Sequence, residues 1–241
     1  MSESQDKLAV LIDADNAQAA LIKPLLDEIA KHGIASVRRV YGDWTLPNLS
    51  PWKDTLAEHA IQPIQQFRYT TGKNATDSAL IIDAMDLLYT NRFDGFCLVS
   101  SDSDFTRLAS RIREAGLKVY GFGERKTPQS LVAACTKFTY VEIFRESVAE
   151  SDSPKTVSAQ MKMDGTLHRL LDPAYNVVAE ENEWIHLGVL GQQLSKLAPD
   201  FDARNYGQKR LSDLIRATKR FEFEERKLAD GKSVSHYLRR K

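Results

Sequence analysis

The chain opens with an unbroken apolar run and then changes rhythm. Leu8-Ala9-Val10-Leu11-Ile12 has no polar interruption, the mark of a short strand buried on both faces. Leu21, Leu25, Leu26 and Ile29 then recur at helical spacing, and Lys31-His32-Gly33 supplies a stop. Ala35–Tyr41 predicts a second strand, residues 52–60 a helix, and Ile61–Phe67 a short strand. Ser78–Tyr89 is strongly helical. A strand over Phe93–Ser100, a helix over Phe105–Ala115 and a strand over Leu117–Phe122 follow. A short helix over Pro128–Ala134 and a last strand over Tyr140–Phe144 complete the pattern. Such alternation predicts an α/β fold, a mostly parallel sheet with helices on both faces.

Residues 147–162 are polar, serine-rich and short of apolar anchors, so they read as a linker between a first domain, 1–146, and a second, 163–241. In the second, 164–172, 187–197 and 207–217 carry helical patterns. Phe221-Glu222-Phe223 and the run from Val234 to Leu238 alternate like strands around Asp230-Gly231, a favourable hairpin turn. Three helices and a hairpin describe a winged helix.

Composition narrows the class. No apolar run reaches the length of a membrane span, and the first residues lack a basic region followed by an apolar core, so a cytoplasmic location is expected. Cys97 and Cys135 have no close partner and sit among apolar or small residues, as buried inert thiols do. The net charge is zero but unevenly spread: Arg204 to Lys241 holds 12 basic and 5 acidic residues. A basic C-terminal quarter suits a polyanionic partner, and equally a solvated helix face.

The candidate chemistry is acidic. Ligands of open α/β sheets sit at the carboxyl ends of strands, and Asp13 and Asp102 both fall there. Along the helix Ser78–Tyr89, the stripe of Leu80, Ile81, Ala84, Leu87 and Leu88 faces the sheet. Asp77 shares that side, and Asp83 is expected on another face. Asp104 adds a fourth carboxylate. Acids gathered at one edge repel each other unless a cation neutralises them, and hard oxygen donors select Mg²⁺ or Mn²⁺. Such a site suits phosphodiester hydrolysis. Simpler roles compete at each position. Asp77 could cap its helix, Asp104 is the expected cap after Ser103, and Asn16 could orient a ligand or cap a helix starting near Ala17. Lys73 could meet a phosphate or only solvent, and Trp44 or Trp52 could stack on a base or fill the core.

Three motifs, Leu11-Ile12-Asp13-Ala14-Asp15-Asn16, Gly72-Lys73-Asn74-Ala75-Thr76-Asp77 and Val99-Ser100-Ser101-Asp102-Ser103-Asp104-Phe105, resemble the NYN domain of the PIN-like nuclease superfamily in order and spacing. The resemblance covers roughly residues 7–145. It implies a Rossmann-like fold, a bound Mg²⁺ or Mn²⁺ and RNA cleavage, with Asp13, Asp77 and Asp102 matching the metal-binding acids. Asn16 and Asp104 match neighbours that serve as ligands or as their support. The stretch from about Leu167 to Tyr237 resembles a LOTUS domain, also called OST-HTH, a winged-helix module associated with RNA binding. Beside that resemblance, Arg204, Lys209, Arg210, Arg216, Lys219 and Arg220 would form a basic surface suited to RNA phosphates. In some winged helices this face binds a protein partner instead.

Two other functions fit parts of the pattern. Asp13-x-Asp15 after a strand is similar to the nucleophile motif of haloacid-dehalogenase-type phosphatases, but Asn16-Ala17 stands where that family has Thr or Gly. A non-catalytic RNA-binding scaffold would keep the acids only as structure.

Overall fold

The run Leu8–Ile12 has no exposed surface at all, and it lies near the middle of the sheet. The computed structural model describes residues 5–67, 75–149, 165–179, 184–227 and 234–241. The chain divides into two compact units, Met1–Ser151 and Asp152–Lys241.

In the first unit, strands β1 (Lys7–Asp13), β2 (Ile34–Gly42), β3 (Gln62–Gln65), β4 (Gly95–Val99), β5 (Lys118–Gly123) and β6 (Lys137–Tyr140) form one six-stranded sheet. Its order is β3-β2-β1-β4-β5-β6, and every pairing is parallel. The helices are α1 (Ile22–Ile29), α2 (Trp52–Glu58), α3 (Ala75–Tyr89), α4 (Thr106–Glu114), α5 (Gln129–Ala134) and α6 (Glu142–Ala149). Ile22, Leu25 and Ile29 of α1 join Leu8, Val10 and Ile12 in one core cluster. Each such fully buried aliphatic side chain contributes about 1.5–3 kcal/mol.

Several expectations are corrected. The apolar residues of Tyr140–Phe144 do not make a strand: β6 ends at Tyr140, and Val141, Ile143 and Phe144 are buried at the start of α6. That helix runs to Ala149, and the rest of the polar stretch lies outside the described residues. The helix expected near Ala17 begins only with a single 3-10 turn at Ala19–Leu21. Asp83 does not face away from the sheet, because Arg39 and Tyr41 of β2 both donate to its carboxylate.

The second unit holds α7 (Gly165–Val178), α8 (Leu187–Leu197), a 3-10 turn over Ala203–Tyr206 and α9 (Leu211–Ala217). α7 continues through Pro173 beyond residue 172, whereas the pattern over 207–217 becomes helical only at Leu211. Strands β7 (Ile185–His186), β8 (Phe221–Lys227) and β9 (Val234–Arg240) form an antiparallel sheet in the order β7-β9-β8. β7 is too short to leave a sequence pattern, and Asp230-Gly231 lies outside the described residues. Leu167, Leu171, Leu190, Leu194, Leu214, Ile215 and Leu238 are fully buried and make this unit's own core. Among the described residues, no helix is long and apolar enough to cross a membrane.

Candidate functional site

The strand order reverses between β1 and β4: β2 follows β1 on one side, while β4 flanks it on the other. Loops leaving the two carboxyl ends diverge there and open a crevice. Ile12 pairs with Val99, so Asp13 and the Ser100–Asp104 loop emerge side by side.

Asp13 is 1% exposed. Its Oδ2 accepts hydrogen bonds from Asn16 Nδ2 at 2.7 Å and Ser100 Oγ at 2.8 Å, and its Oδ1 accepts from the Asp15 N–H at 3.0 Å. Burial raises its pKa, and the hydrogen bonds only partly offset that rise. Each carboxylate oxygen has two lone pairs, so Oδ1 retains acceptor capacity beyond its bond to the Asp15 N–H. Ser100 Oγ also accepts from the Asp102 N–H at 3.1 Å and thereby couples the ends of β1 and β4. Gly123 permits this approach from the next strand: a Cβ there would lie 2.7 Å from the Ser100 carbonyl oxygen. The sequence pattern places Ser100 at the end of a strand and inside the third motif without giving its side chain a role. Its signal was its place, directly after β4 at the switch point.

The remaining carboxylates come from two elements. Asp102 Oδ1 accepts from the Asp104 N–H at 2.9 Å and caps the 3-10 turn Ser103–Phe105. Asp102 is therefore the cap, contrary to the expectation for Asp104. Asp77 lies within the first turn of α3, which starts at Ala75, so it is not that helix's cap. Asn16 turns to Asp13, and the later 3-10 turn has Gln18 at its cap position.

One oxygen each from Asp77, Asp102 and Asp104 lie within 4.8 Å of one another. Magnesium–oxygen distances of about 2.1 Å put oxygens on a shared ion up to about 4.2 Å apart, so small side-chain rotations suffice for one ion. Burial first, and then repulsion from Asp13, Asp102, Asp104 and Asp15, push the Asp77 pKa up to about 6. An all-oxygen donor set under mutual repulsion fits a hard divalent cation. Asp13 stands outside the group of three, but it is the strongest of the like charges acting on Asp77.

Lys73, with Gly72 and Asn74, lies outside the described residues. Trp52 is 2% exposed and belongs to the core, where no base can stack on it. Trp44 is half-buried and meets Trp52 edge-on at 6.5 Å. Both cysteines are buried free thiols, and burial raises their pKa values.

In the second unit much of the expected basic surface is already neutralised. Arg204 is bound to Asp202 by hydrogen bonds of 2.6–3.0 Å. Arg216 pairs with Glu225 at 2.9 Å, and Arg220 pairs with Asp172 at 2.8 Å. Lys209 and Arg210 are exposed.

Sheet order, switch-point carboxylates and the separate three-helix unit define a Rossmann-like, PIN-like α/β domain followed by a winged helix. The NYN domain model matches residues 7–142, and the OST-HTH/LOTUS domain model matches residues 162–232. The chain belongs to the NYN domain family and carries an OST-HTH/LOTUS domain after it. NYN domains are a PIN-like nuclease family, and OST-HTH/LOTUS domains bind RNA. Among solved structures, the chain is similar to a protein of unknown function from Vibrio parahaemolyticus RIMD 2210633. That protein is 20% identical over 57% of this chain and 94% of its own, with a TM-score of 0.48. The chain is also similar to an uncharacterized protein from Nitrosomonas europaea solved by solution NMR. The two are 36% identical over 38% of this chain and 90% of the other, with a TM-score of 0.29. No curated protein matches the chain.

Proposed function

We propose that this protein is a metal-dependent endoribonuclease that hydrolyses RNA phosphodiester bonds at the carboxyl edge of the first unit's sheet. The observation that carries this reading is the convergence of Asp77, Asp102 and Asp104 within 4.8 Å, beside the buried Asp13. Asp77, Asp102 and Asp104 would hold Mg²⁺ or Mn²⁺, with Asp13 Oδ1 as a further donor. When bound, such an ion supplies Lewis acidity at the scissile phosphate and lowers the pKa of a water molecule.

The chain's own groups set the geometry. Ser100 and Asn16 fix the Asp13 carboxylate, and the Asp104 N–H fixes that of Asp102. The acids repel a phosphate while they are unneutralised, so RNA and cation would bind cooperatively. Asn16 supports Asp13 and need not touch substrate. Lys73 would meet the scissile phosphate, and Lys209 and Arg210 would hold the RNA backbone in the second unit, where the Arg204 guanidinium is already engaged with Asp202. Asn16-Ala17, standing where a haloacid-dehalogenase-type phosphatase has Thr or Gly, speaks against the covalent role for Asp13 that such an enzyme requires.

The test is cleavage of labelled single- and double-stranded RNA by the purified chain with Mg²⁺, Mn²⁺ or EDTA. Cleavage with either metal, lost in EDTA and reduced at least a hundredfold by Asp102→Asn, is expected. Equal cleavage by wild type and Asp102→Asn would contradict the assignment, and binding without cleavage would favour the scaffold reading.

A further inference from the structure

Asp13, Asp77, Asp102 and Asp104 carry four negative charges when ionised, and one divalent cation offsets only two of them. An RNA strand crossing this edge brings further phosphates on either side of the scissile one, and those still meet a negative surface. The strand is favoured along a path where a cation of the protein faces such a phosphate. Several nearby cations are already engaged. Arg39 is held by Asp83, Lys126 pairs with Glu124 at 2.7 Å, and the Arg125 guanidinium lies over the Tyr140 ring.

Arg107 is exposed and makes no hydrogen bond or ion pair among the described residues. It belongs to the first turn of α4, three residues after Asp104, and the 3-10 turn Ser103–Phe105 leads straight into that helix. Residues at this spacing on a helical turn have Cβ atoms about 5–6 Å apart, so Arg107 borders the acidic group. Contacts along α4 fix the face that carries it. Thr106 and Arg113 turn to α5: the Thr106 and Ser130 hydroxyls stand 3.5 Å apart, and Arg113 donates to the Ala133 carbonyl at 3.2 Å. Arg111, four residues after Arg107 and on the same face, donates instead to the Tyr89 hydroxyl of α3 at 3.2 Å. Arg107 therefore stands on the α3 side of α4, one turn, or about 6 Å, nearer the carboxyl edge than Arg111. α3 starts at that same edge, with Asp77 in its first turn, and ends at Tyr89. The seam between the two helices thus begins at Asp77 and Asp104 and runs past Arg107 to Arg111.

We infer that Arg107 holds the phosphate next to the scissile one, so that the RNA strand leaves the acidic edge over the α3–α4 seam. A guanidinium can meet two oxygens of one phosphate side by side, and its charge is permanent. The inference rests on reading the acidic edge as a ribonuclease site, and it gives the substrate of that site a direction.

The test uses the full chain and a short single-stranded RNA, with Arg92→Gln as the control for charge. Arg92 is exposed, has no partner among the described residues and precedes β4, at the opposite edge of the sheet. In Mn²⁺, Arg107→Gln is expected to raise KM about tenfold with kcat within about twofold, the pattern of a contact made equally in ground and transition states. It should also lower the slope of log kcat/KM against log salt by about 0.7, which Arg107→Lys restores and Arg92→Gln leaves alone. Equal losses in both Gln variants, or none in Arg107→Gln, overturn the inference.

A second readout does not depend on turnover. Cys97 and Cys135 are buried, so Arg107→Cys gives the chain a single exposed thiol. RNA carrying a thiol-reactive group on its backbone, at saturating concentration, should be captured by Arg107→Cys and not by Arg92→Cys. Absence of capture at position 107 overturns the inference. Capture there without cleavage by the wild-type chain keeps the strand path and removes the nuclease. Cleavage by the wild-type chain with unaltered Arg107→Gln kinetics removes the path and keeps the nuclease.

Discussion

Ser100 Oγ donates to Asp13 Oδ2 at 2.8 Å and so joins two residues 87 positions apart in the chain. The same oxygen accepts from the Asp102 N–H, so one hydroxyl sets the spacing between the acids that follow β1 and β4. Ser100→Ala leaves the buried Asp13 carboxylate short of a donor. The variant should unfold with about 1–3 kcal/mol less free energy at pH 7, a loss readable in denaturant titrations. It should also bind Mn²⁺ more weakly, because Asp13 and Asp102 lose their shared tether.

Asp77 gives the account a pH signature. Its folded-state pKa, about 6, lies above the ordinary carboxylate value of 3.8. Between those values the folded chain holds a proton that the unfolded chain has released. The stability of the metal-free protein therefore falls as pH rises from about 4 to about 6 and levels off above that. Asp77→Asn removes a half-buried charge together with the repulsion on it, so the metal-free variant should be more stable than wild type at pH 7, by an amount of order 1 kcal/mol at this partly solvated site. Thermal melts with and without Mn²⁺ check both halves of this expectation: the variant gains stability alone and loses the stabilisation by metal. Metal competes with the proton on Asp77, so wild-type affinity should fall up to about tenfold per pH unit below 6.

Asp83 offers a contrast on the same helix. It is bound by Arg39 and Tyr41 rather than by the carboxylate group. Asp83→Ala should cost about 1–3 kcal/mol of stability by stranding those two partners, yet leave Mn²⁺ affinity within twofold of wild type. A large loss of affinity in a folded Asp83→Ala would place this acid in the site instead.

These two aspartates also show where the sequence stopped being informative. The central strands were legible because Leu8–Ile12 and the run ending at Val99 are apolar without interruption, and Asp13 and Asp102 were legible because they directly follow such runs. On α3, however, only Thr76, Leu80, Ala84 and Leu88 are buried, a narrower stripe than the leucines and isoleucines suggest. Asp83 flanks that stripe, and its partners stand 42 and 44 residues away on β2, where no local pattern points to them. The last element failed for a different reason. Tyr140, Val141, Ile143 and Phe144 fit either period over so short a run, and the edge strand β6 is the four-residue alternation Lys137-Phe138-Thr139-Tyr140 just before it. The basic surface was overestimated because charge counting cannot see that Asp202, Asp172 and Glu225 already pair with Arg204, Arg220 and Arg216.

That pairing sharpens the prediction for the second unit. Lys209 and Arg210 are exposed, so Lys209→Ala and Arg210→Ala should each weaken RNA binding and lower the slope of log affinity against log salt by about 0.7. Arg204→Ala should act mainly on stability, because its guanidinium is already engaged with Asp202. Filter binding across a salt series separates the two behaviours.

The most direct measurement is a crystal of the chain soaked in Mn²⁺ and read by anomalous scattering. The account predicts a Mn²⁺ peak bounded by carboxylate oxygens of Asp77, Asp102 and Asp104, at roughly 2.0–2.3 Å. A well-occupied peak elsewhere, with these three side chains unchanged and unliganded, would contradict it.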